Sequence, residues 1–220
     1  MGYFRSFPYV GYTFPDNVTR AFKNISLRPD LVQQIKDGTN IDFYDLEDGE
    51  TPETVAYNFY KDVNLNWVIM LANDIFNLYT DWPKSDKHFQ DYILEKYRVQ
   101  LDSDGIKRTL SDTQVNEFVQ FVGTPSNNYI SDINLHDSEN SPKITITPHH
   151  FVDKDDNIYA PGSYENETDA FGRTIIKPTF TPVSIEDWER SLNEEKKTII
   201  VPSANIVSKI KRELNEILNG

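Results

Sequence analysis

Four histidines and one acid-rich segment are the residues whose types and spacing could bind a metal. The histidines are His88, His136, His149 and His150. His149 and His150 are adjacent on a predicted strand, where neighbouring side chains point to opposite faces, so we do not expect them to share a metal ion. Residues 153–157 begin like a calcium-binding loop, but Ile158 stands where that loop needs glycine and Tyr164 where it needs glutamate. The sequence therefore predicts no metal site and a hairpin turn at 153–157.

Catalytic motifs are missing from the sequence. It contains no nucleophile elbow, no P-loop, no glycine-rich dinucleotide-binding motif and no cysteine. Its 35 acidic residues guarantee many chance pairs of carboxylates, so we interpret them as acidic surface rather than as a glycosidase-like pair. Trp67, Trp82 and Trp188 could stack on sugars, although packing in a core or an interface is favoured. We expect the chain to be no enzyme and to need no cofactor.

The charge and the apolar runs argue against nucleic acid and membrane as partners. The net charge of the 220 residues is −13, which repels phosphate backbones. The longest purely apolar run, residues 67–72, is far shorter than the roughly 20 residues of a membrane-spanning helix. Aromatic residues reach 13%, and large rings of this kind favour packed cores and protein–protein contacts.

The N-terminal residues 1–35 are predicted to form an extended arm. Rings and prolines alternate there without a sustained helical or strand period, and each proline biases the preceding residue to an extended conformation. An arm with so many rings is expected to lie along another surface. Candidate interface anchors are Tyr9, Tyr12 and Phe14 in the arm, with Trp67 and Trp82 further along the chain.

A strand–helix–helix block follows the arm. Residues 40–46 alternate as a strand, and Asp48-Gly49 gives a turn signal. Thr51 and Pro52 suit the cap and the first position of a helix. A second helix is predicted over residues 65–75, where apolar side chains recur at helical spacing.

The remaining elements are predicted from the spacing of apolar residues and from residues that typically begin or end helices and strands. Residues 124–142 are polar and predict a loop, and residues 160–183 have weak periodicity. Ser111 is a helix cap and Gly123 a stop signal. We predict helices over 85–98, 111–122, 185–192 and 204–218, and strands over 143–152, 158–159 and 197–201.

The block resembles the LysM module. The shared positions are Gly49-Glu50-Thr51, then Val55-Ala56, then the run from Leu71 through Asn73 to Ile75. With Trp67 in the second helix and Asp81-Trp82-Pro83 after it, the chain looks like the LysM-like baseplate wedge subunit of contractile-tailed phages of the T-even type. Phe14-Pro15-Asp16, at the end of the ring-rich stretch of the arm, and the C-terminal run from Val183 agree with that family.

This resemblance implies an α+β fold: a LysM-like strand–helix–helix core with extra helices, a β-hairpin insertion and the extended arm. The domains expected are the arm at 1–35, the LysM-like block at 36–83, a helical and hairpin insertion at 84–182, and a strand and helix at 183–220. Residues 197–201 could be a displaced strand that pairs with residues 41–46 and completes the core.

The same resemblance implies a structural component that joins neighbouring wedges during baseplate assembly through protein–protein contacts. Its partners would be other baseplate wedge proteins, with several copies per virion in a six-fold assembly, and it would be assembled in the host cytoplasm and located in the tail baseplate of the virion. The alternative is a module that binds peptidoglycan or N-acetylglucosamine glycans, because LysM modules bind such sugars. A cell-wall hydrolase is a weaker third hypothesis, since LysM modules accompany such enzymes.

Overall fold

The computed structural model describes residues 9–23, 41–123, 129–134, 142–161, 165–168, 170–172, 174–177 and 180–219. The chain divides into two units: unit 1 comprises residues 1–85 with 196–220, and unit 2 comprises residues 86–195. The fold is mixed α+β with small antiparallel sheets. None of the helices in these ranges is long and apolar enough to cross a membrane.

The described residues form thirteen strands and seven α-helices, numbered here in chain order. The strands are β1 (Tyr9–Thr13), β2 (Thr19–Lys23), β3 (Ile41–Asp45), β4 (Val99–Leu101), β5 (Lys107–Thr109), β6 (Ser131–Asn134), β7 (Lys143–Ile146), β8 (His150–Val152), β9 (Ile158–Tyr159), β10 (Glu165–Thr168), β11 (Thr174–Lys177), β12 (Thr181–Val183) and β13 (Thr198–Pro202). The helices are α1 (Pro52–Tyr60), α2 (Asn66–Ala72), α3 (Leu78–Asp81), α4 (Asp86–Tyr97), α5 (Asp112–Gln120), α6 (Ile185–Glu194) and α7 (Ala204–Asn219).

Unit 1 is built on the antiparallel pair β3–β13. Tyr44 lies opposite Ile199 and Phe43 opposite Ile200, so the first and last parts of this unit are joined across more than 150 residues of chain. Alternate side chains of β13 point inward, and Ile199 and Val201 are buried. The predicted pairing of residues 197–201 with residues 41–46 is confirmed.

The first helix of unit 1 begins where its capping residues predict. The Thr51 hydroxyl accepts from the Thr54 N–H at 3.3 Å, and Pro52 occupies the first turn. Helix α2 is shorter than predicted: a 3₁₀ turn over Val63–Leu65 precedes it, and it ends at Ala72. Asp74 has a φ of +55°, a left-handed conformation that no helix can continue, while the Ile75 N–H still donates to the Met70 carbonyl.

The core of unit 1 lies between the β3–β13 pair and helices α1, α2 and α7. It contains the buried apolar side chains of residues 46, 55, 56, 65, 68, 69, 71, 72, 75, 82, 199, 201, 207 and 210. On α7, Ile210 is buried and Ile206 packs against the core, in agreement with the predicted apolar face. The side chains of Leu214 and Ile217, which completed that prediction, lie outside the described set.

The N-terminal segment of unit 1 contains a hairpin that the sequence analysis did not predict. Strands β1 and β2 pair antiparallel, with Tyr12 opposite Arg20. Asn17 has a φ of +59° in the connecting turn, where its N–H donates to the Phe14 carbonyl. Residues 1–8 and 24–35 of the predicted arm lie outside the described ranges.

Unit 2 combines helices α4, α5 and α6 with short antiparallel strands. The three predicted helices of this unit are confirmed, and Ser111 forms a capping box with Gln114 at the start of α5. Gly123 has a φ of +70°, and a Cβ there would lie 2.8 Å from the Tyr129 Cα, so this stop position requires glycine.

Two predictions for the strands of unit 2 are wrong. The predicted loop over 124–142 contains β6, which pairs with β7 and buries Ile133. The predicted single strand over 143–152 is two strands, β7 and β8, which belong to different sheets. They are separated at Thr147-Pro148, where proline cannot donate to a strand ladder. The weakly periodic region 160–183 holds three further strands, β10, β11 and β12.

Candidate interface

The acidic residue of the Gly-Glu-Thr motif links β3 to α1. Gly49 has a φ of +76°, which turns the chain so that Glu50 faces back to the strand. Its carboxylate accepts from the Tyr44 hydroxyl at 2.8 Å, the Glu47 N–H at 3.0 Å and the Asn58 amide at 3.3 Å. The hydrogen bond to Glu50 raises the pKa of Tyr44 above its usual value, because it favours the protonated phenol. Glu50 therefore acts within the fold.

Asn73 attaches the end of α2 to the outer edge of β13. Its amide NH₂ donates to the carbonyls of Ile69 and Ile200, both at 2.8 Å. Its amide oxygen accepts from the Ile200 N–H at 2.7 Å. One side chain thus replaces a neighbouring strand for both backbone groups of Ile200.

Trp82, predicted as an interface anchor, is only 7% exposed. Its indole packs in the core of unit 1, and its Nε1–H donates to the Glu50 carbonyl at 2.8 Å. This geometry supports a role in holding the segment after α2 against the strand–helix–helix block (β3, α1 and α2).

A turn before Trp82 presents two rings that the sequence analysis did not select. The Asp81 carboxylate accepts from the N–H groups of Phe76 and Asn77, both at 2.9 Å, and the hydrogen bond from the Asn77 N–H contributes most to lowering the pKa of Asp81. The Asn77 side chain accepts from the Tyr79 N–H at 2.9 Å. Phe76 is 75% exposed and Tyr79 is 87% exposed. We call residues 76–82 the aromatic turn.

The predicted anchors of the arm lie on the β1–β2 hairpin. Tyr9 is 69% exposed and Tyr12 is 61% exposed, while Phe14 is half-buried. Phe14 contacts Tyr12 edge-on, with ring centroids 5.1 Å apart, and the Arg20 guanidinium lies 4.7 Å above the Phe14 ring. Tyr12 and Phe14 therefore share one face of the hairpin.

The last predicted anchor, Trp67, lies on α2. It is half-buried and packs against the core of unit 1. The structure thus gives the five predicted anchors three surroundings: Tyr9, Tyr12 and Phe14 lie on the hairpin, Trp67 at a half-buried helix position and Trp82 in a core.

In unit 2, His149 and His150 do not point to opposite faces, so that prediction is wrong. His149 precedes β8 rather than lying within a strand, and the Nδ1 atoms of the two rings are 2.8 Å apart, within hydrogen-bond distance. His149 stacks on Trp188 at 5.1 Å, and His150 meets the same ring edge-on. Burial lowers the pKa of both histidines. The described residues contain no group of three or more metal-ligating side chains.

A buried carboxylate lies on the same helix as Trp188. Glu189 accepts from Lys96 Nζ and the Tyr97 hydroxyl, both at 2.6 Å, and from the Tyr92 hydroxyl at 3.1 Å. Burial acts to raise the pKa of Glu189, but the hydrogen bonds and the Lys96 charge outweigh it and lower that pKa. This arrangement joins α4 to α6 and leaves Glu189 ionised as a structural acceptor.

The segment that begins like a calcium loop forms the predicted hairpin turn. Asp153 Oδ1 accepts from the N–H groups of Asp155 at 2.8 Å and Asn157 at 3.0 Å. The hydrogen bond from the Asn157 side chain contributes most to lowering the pKa of Asp153 to about 2. The first carboxylate of the sequence pattern is therefore used to close the turn between β8 and β9.

A comparison with models of known protein families gives a match to this chain. A family model described as base plate wedge protein 53 matches residues 4–146, about two thirds of the chain. The matched region includes the hairpin, the strand–helix–helix block and the aromatic turn. No curated protein matches the sequence.

Proposed function

We propose that this chain, which belongs to the base plate wedge protein 53 family, joins neighbouring wedge subunits during assembly of a phage tail baseplate. The family supports a structural, non-enzymatic role, a location in the tail baseplate of the virion and interactions with other baseplate proteins. Our proposal adds the contacts that join wedges, a six-fold assembly with several copies per virion, and assembly in the host cytoplasm.

The observation that carries the proposal is the ring-rich face of the β1–β2 hairpin. A two-stranded hairpin is marginally stable alone, and this one leaves Tyr12 and Phe22 exposed beside Phe14 and Arg20. Aromatic rings with an adjacent arginine are the side chains that most often dominate binding energy in protein interfaces. The hairpin therefore has the composition of a contact surface, and Tyr9, Tyr12 and Phe14 are its proposed anchors.

The strand–helix–helix block is proposed as the base from which these contacts are made. Glu50 and Asn73, two of the positions that resemble LysM, use their side chains to hold β3, α1, α2 and β13 together. Trp67 is a proposed anchor from the block itself. We keep Trp82 as a residue that positions its neighbours, because its ring is buried.

The joining function can be tested by supplying the full chain to a phage whose own copy is inactivated. In the double variant Tyr12→Ala/Phe14→Ala we expect single wedges to accumulate and closed baseplates to decrease, as measured by sedimentation. Tyr57→Ala, which removes an exposed ring from α1, is the matched control and should assemble normally.

Two outcomes would contradict different parts of the proposal. Normal closure of baseplates in the complete absence of the chain would refute the joining function. Normal closure with the double variant alone would refute the choice of anchors. Retention of the chain on peptidoglycan that is lost on adding N-acetylglucosamine oligomers would favour the glycan-binding alternative instead.

A further inference from the structure

We propose that His149, His150 and Trp188 form a pH-sensitive latch in unit 2, which holds the start of α6 against β8 and opens when both imidazole rings are protonated. The latch belongs to the fold of unit 2 and does not depend on the proposed joining function. It can therefore be tested on the purified full chain.

The contact between the two imidazole rings limits how many protons they hold. Their Nδ1 atoms are 2.8 Å apart, which is a hydrogen-bond distance, so one Nδ1 donates an N–H and the other accepts with its lone pair. The donor ring can take up a proton on its Nε2 atom without losing this bond. When both rings are imidazolium, both Nδ1 atoms carry hydrogen, and two donors and two positive charges face each other. The pair therefore binds its first proton in place and its second only by separating.

Trp188 connects the histidine pair to α6. His149 stacks on the indole with ring centroids 5.1 Å apart and an interplanar angle of 15°, and His150 meets it edge-on at 5.2 Å. The His149 N–H also donates to the Val183 carbonyl at 2.9 Å, immediately before Ser184, the residue that caps α6. His149 is thus attached to the chain on both sides of the helix cap. Displacement of its ring removes the attachment to the first turn of α6.

The two rings differ in exposure, which determines the one that moves. His149 lies before β8 and is exposed, whereas His150 is the first residue of β8 and is only 6% exposed. His150 lies opposite Val183 of β12, so its displacement would disturb the strand pairing. A displaced His149 cation gains hydration without breaking the sheet. We therefore expect opening to move His149 into solvent and to leave β8 paired with β12.

Charged groups on the neighbouring helices act on the pair in opposite directions. Glu189 of α6 favours protonation of His149, and Lys96 of α4 opposes it. Lys96 Nζ donates to Glu189 at 2.6 Å, so Lys96 offsets part of the stabilisation that Glu189 gives to a histidine cation. The carboxylate of Asp187, also on α6, accepts from the capping serine at 2.8 Å.

The strands beside β8 add no charge to the pair. The described residues opposite β8 are Thr181, Pro182 and Val183 in β12 and Ile158 and Tyr159 in β9. Tyr92 and Tyr97 of α4 donate to Glu189, and phenols are uncharged at acidic pH. Burial lowers the pKa of both histidines, and the His149 charge lowers the pKa of His150 further. We therefore expect the second protonation below about pH 6.5.

The hydrogen bond between the rings can be observed by NMR. The full chain is labelled with ¹⁵N-histidine, and the ring nitrogens are followed from neutral to acidic pH. At neutral pH we expect a scalar coupling between the two Nδ1 nuclei across the hydrogen bond. On acidification we expect two protonation steps, of which the first keeps this coupling and the second removes it. His88 of α4 is the internal control and should titrate in a single step.

Amide hydrogen exchange measures the opening of the latch. The Trp188 N–H donates to the Ser184 carbonyl at 3.1 Å in the first turn of α6. Because each opening of the singly protonated pair takes up one proton, its equilibrium constant should rise about tenfold for each pH unit between the two protonation steps. Exchange of the Trp188 amide, corrected for the intrinsic effect of pH, should accelerate by the same factor. The amide of Val119, a buried residue of α5 in the same unit, should stay protected.

Glutamine variants separate the latch from a general effect of acid. His149→Gln and His150→Gln each leave one imidazole and a neutral polar side chain, so the coupling between the Nδ1 nuclei and the pH dependence of Trp188 exchange should both disappear. His88→Gln is the matched control and should keep both. Far-UV circular dichroism at each pH establishes that the variants are folded. If a glutamine variant does not fold, the NMR titration and the exchange of the wild-type chain decide.

Four results would overturn the latch. The first two are absence of a coupling between the Nδ1 nuclei at neutral pH, and protonation of both rings with that coupling retained. The third is Trp188 exchange with no pH dependence beyond the intrinsic one, or with the same dependence in wild type and the folded glutamine variants. The fourth is an equal acceleration at Val119, which would indicate unfolding of unit 2 instead of a local opening.

Discussion

Asn73 provides the sharpest test of how unit 1 is held together. Asn73→Ala removes three hydrogen bonds, one to Ile69 and two to Ile200, and leaves both backbone groups of Ile200 without their side-chain partner. At about 0.5–1.5 kcal/mol for each net hydrogen bond, we expect the free energy of unfolding to fall by about 2–4 kcal/mol. For a unit of this size that corresponds to a drop of roughly 8–16 °C in the melting temperature.

Amide hydrogen exchange locates the effect. The Leu46 N–H donates to the Lys197 carbonyl, so alternate residues of β13, including Ile199 and Val201, direct their backbone groups to β3. Ile200 directs its N–H away from β3 and to Asn73. In the variant we expect the Ile200 amide to exchange at least about tenfold faster by local opening, while Ile199 and Val201 stay protected up to the level set by the reduced global stability.

Two further variants complete this experiment. Asn73→Asp keeps the size and one acceptor but loses both donors and brings a carboxylate close to two carbonyls, so it should destabilise at least as much as alanine. Asn64→Ala is the control, because Asn64 is exposed and its side chain donates to the nearby Asp62; its effect should stay within about 0.5 kcal/mol. Unchanged exchange at Ile200 in Asn73→Ala would refute the assignment of Asn73 as the substitute for a neighbouring strand.

Three predictions concern unit 2. Glu189→Ala should lower the free energy of unfolding by about 2–4 kcal/mol in urea titration, because it removes the shared acceptor of Lys96 and two tyrosines; an effect below 0.5 kcal/mol would contradict this. Ser111→Ala should cost about 1 kcal/mol in the same assay through loss of the capping box, and an unchanged midpoint would refute it. The folded state holds the pKa of His149 and His150 below the usual 6.5, so their contribution to the free energy of unfolding should be fully present above about pH 6.5 and be lost as the pH falls below it. A variant with both histidines replaced by glutamine should show a flatter dependence of stability on pH. An equal slope in both proteins would exclude the histidines as the source of the dependence.

Local signals explain what the sequence could predict. Helix caps depend on a few adjacent residues, and Thr51 and Ser111 cap the helices that they were expected to begin. The pairing of β13 with β3 was predicted despite its long sequence separation because the LysM resemblance implies a second strand, and residues 197–201 are a β-branched run that ends in proline. The caps need no knowledge of the surrounding packing, whereas this pairing depended on the resemblance.

Features set by tertiary packing were not predictable in the same way. Strand β6 has one buried apolar residue, Ile133, and its sequence is otherwise as polar as a loop. The geometry of His149 and His150 follows from the break at Pro148, which removes His149 from the strand that period alone implied. Trp82 was predicted as an interface anchor, whereas in the structure its indole packs in the core of unit 1 and its N–H donates to the Glu50 carbonyl.

The packing of Trp82 also restrains the backbone that carries the exposed rings of Phe76 and Tyr79. Trp82 attaches the end of the aromatic turn to the Glu50 carbonyl, which fixes the backbone before it. The Asp81 carboxylate also accepts from the N–H groups of Phe76 and Asn77, which restricts the start of the turn. Weakening that attachment should therefore loosen the backbone that carries both rings. Glu50 and Asn73, two of the positions that resemble LysM, likewise use their side chains within the fold, so in the proposed function contact falls to the exposed residues that this scaffold orients.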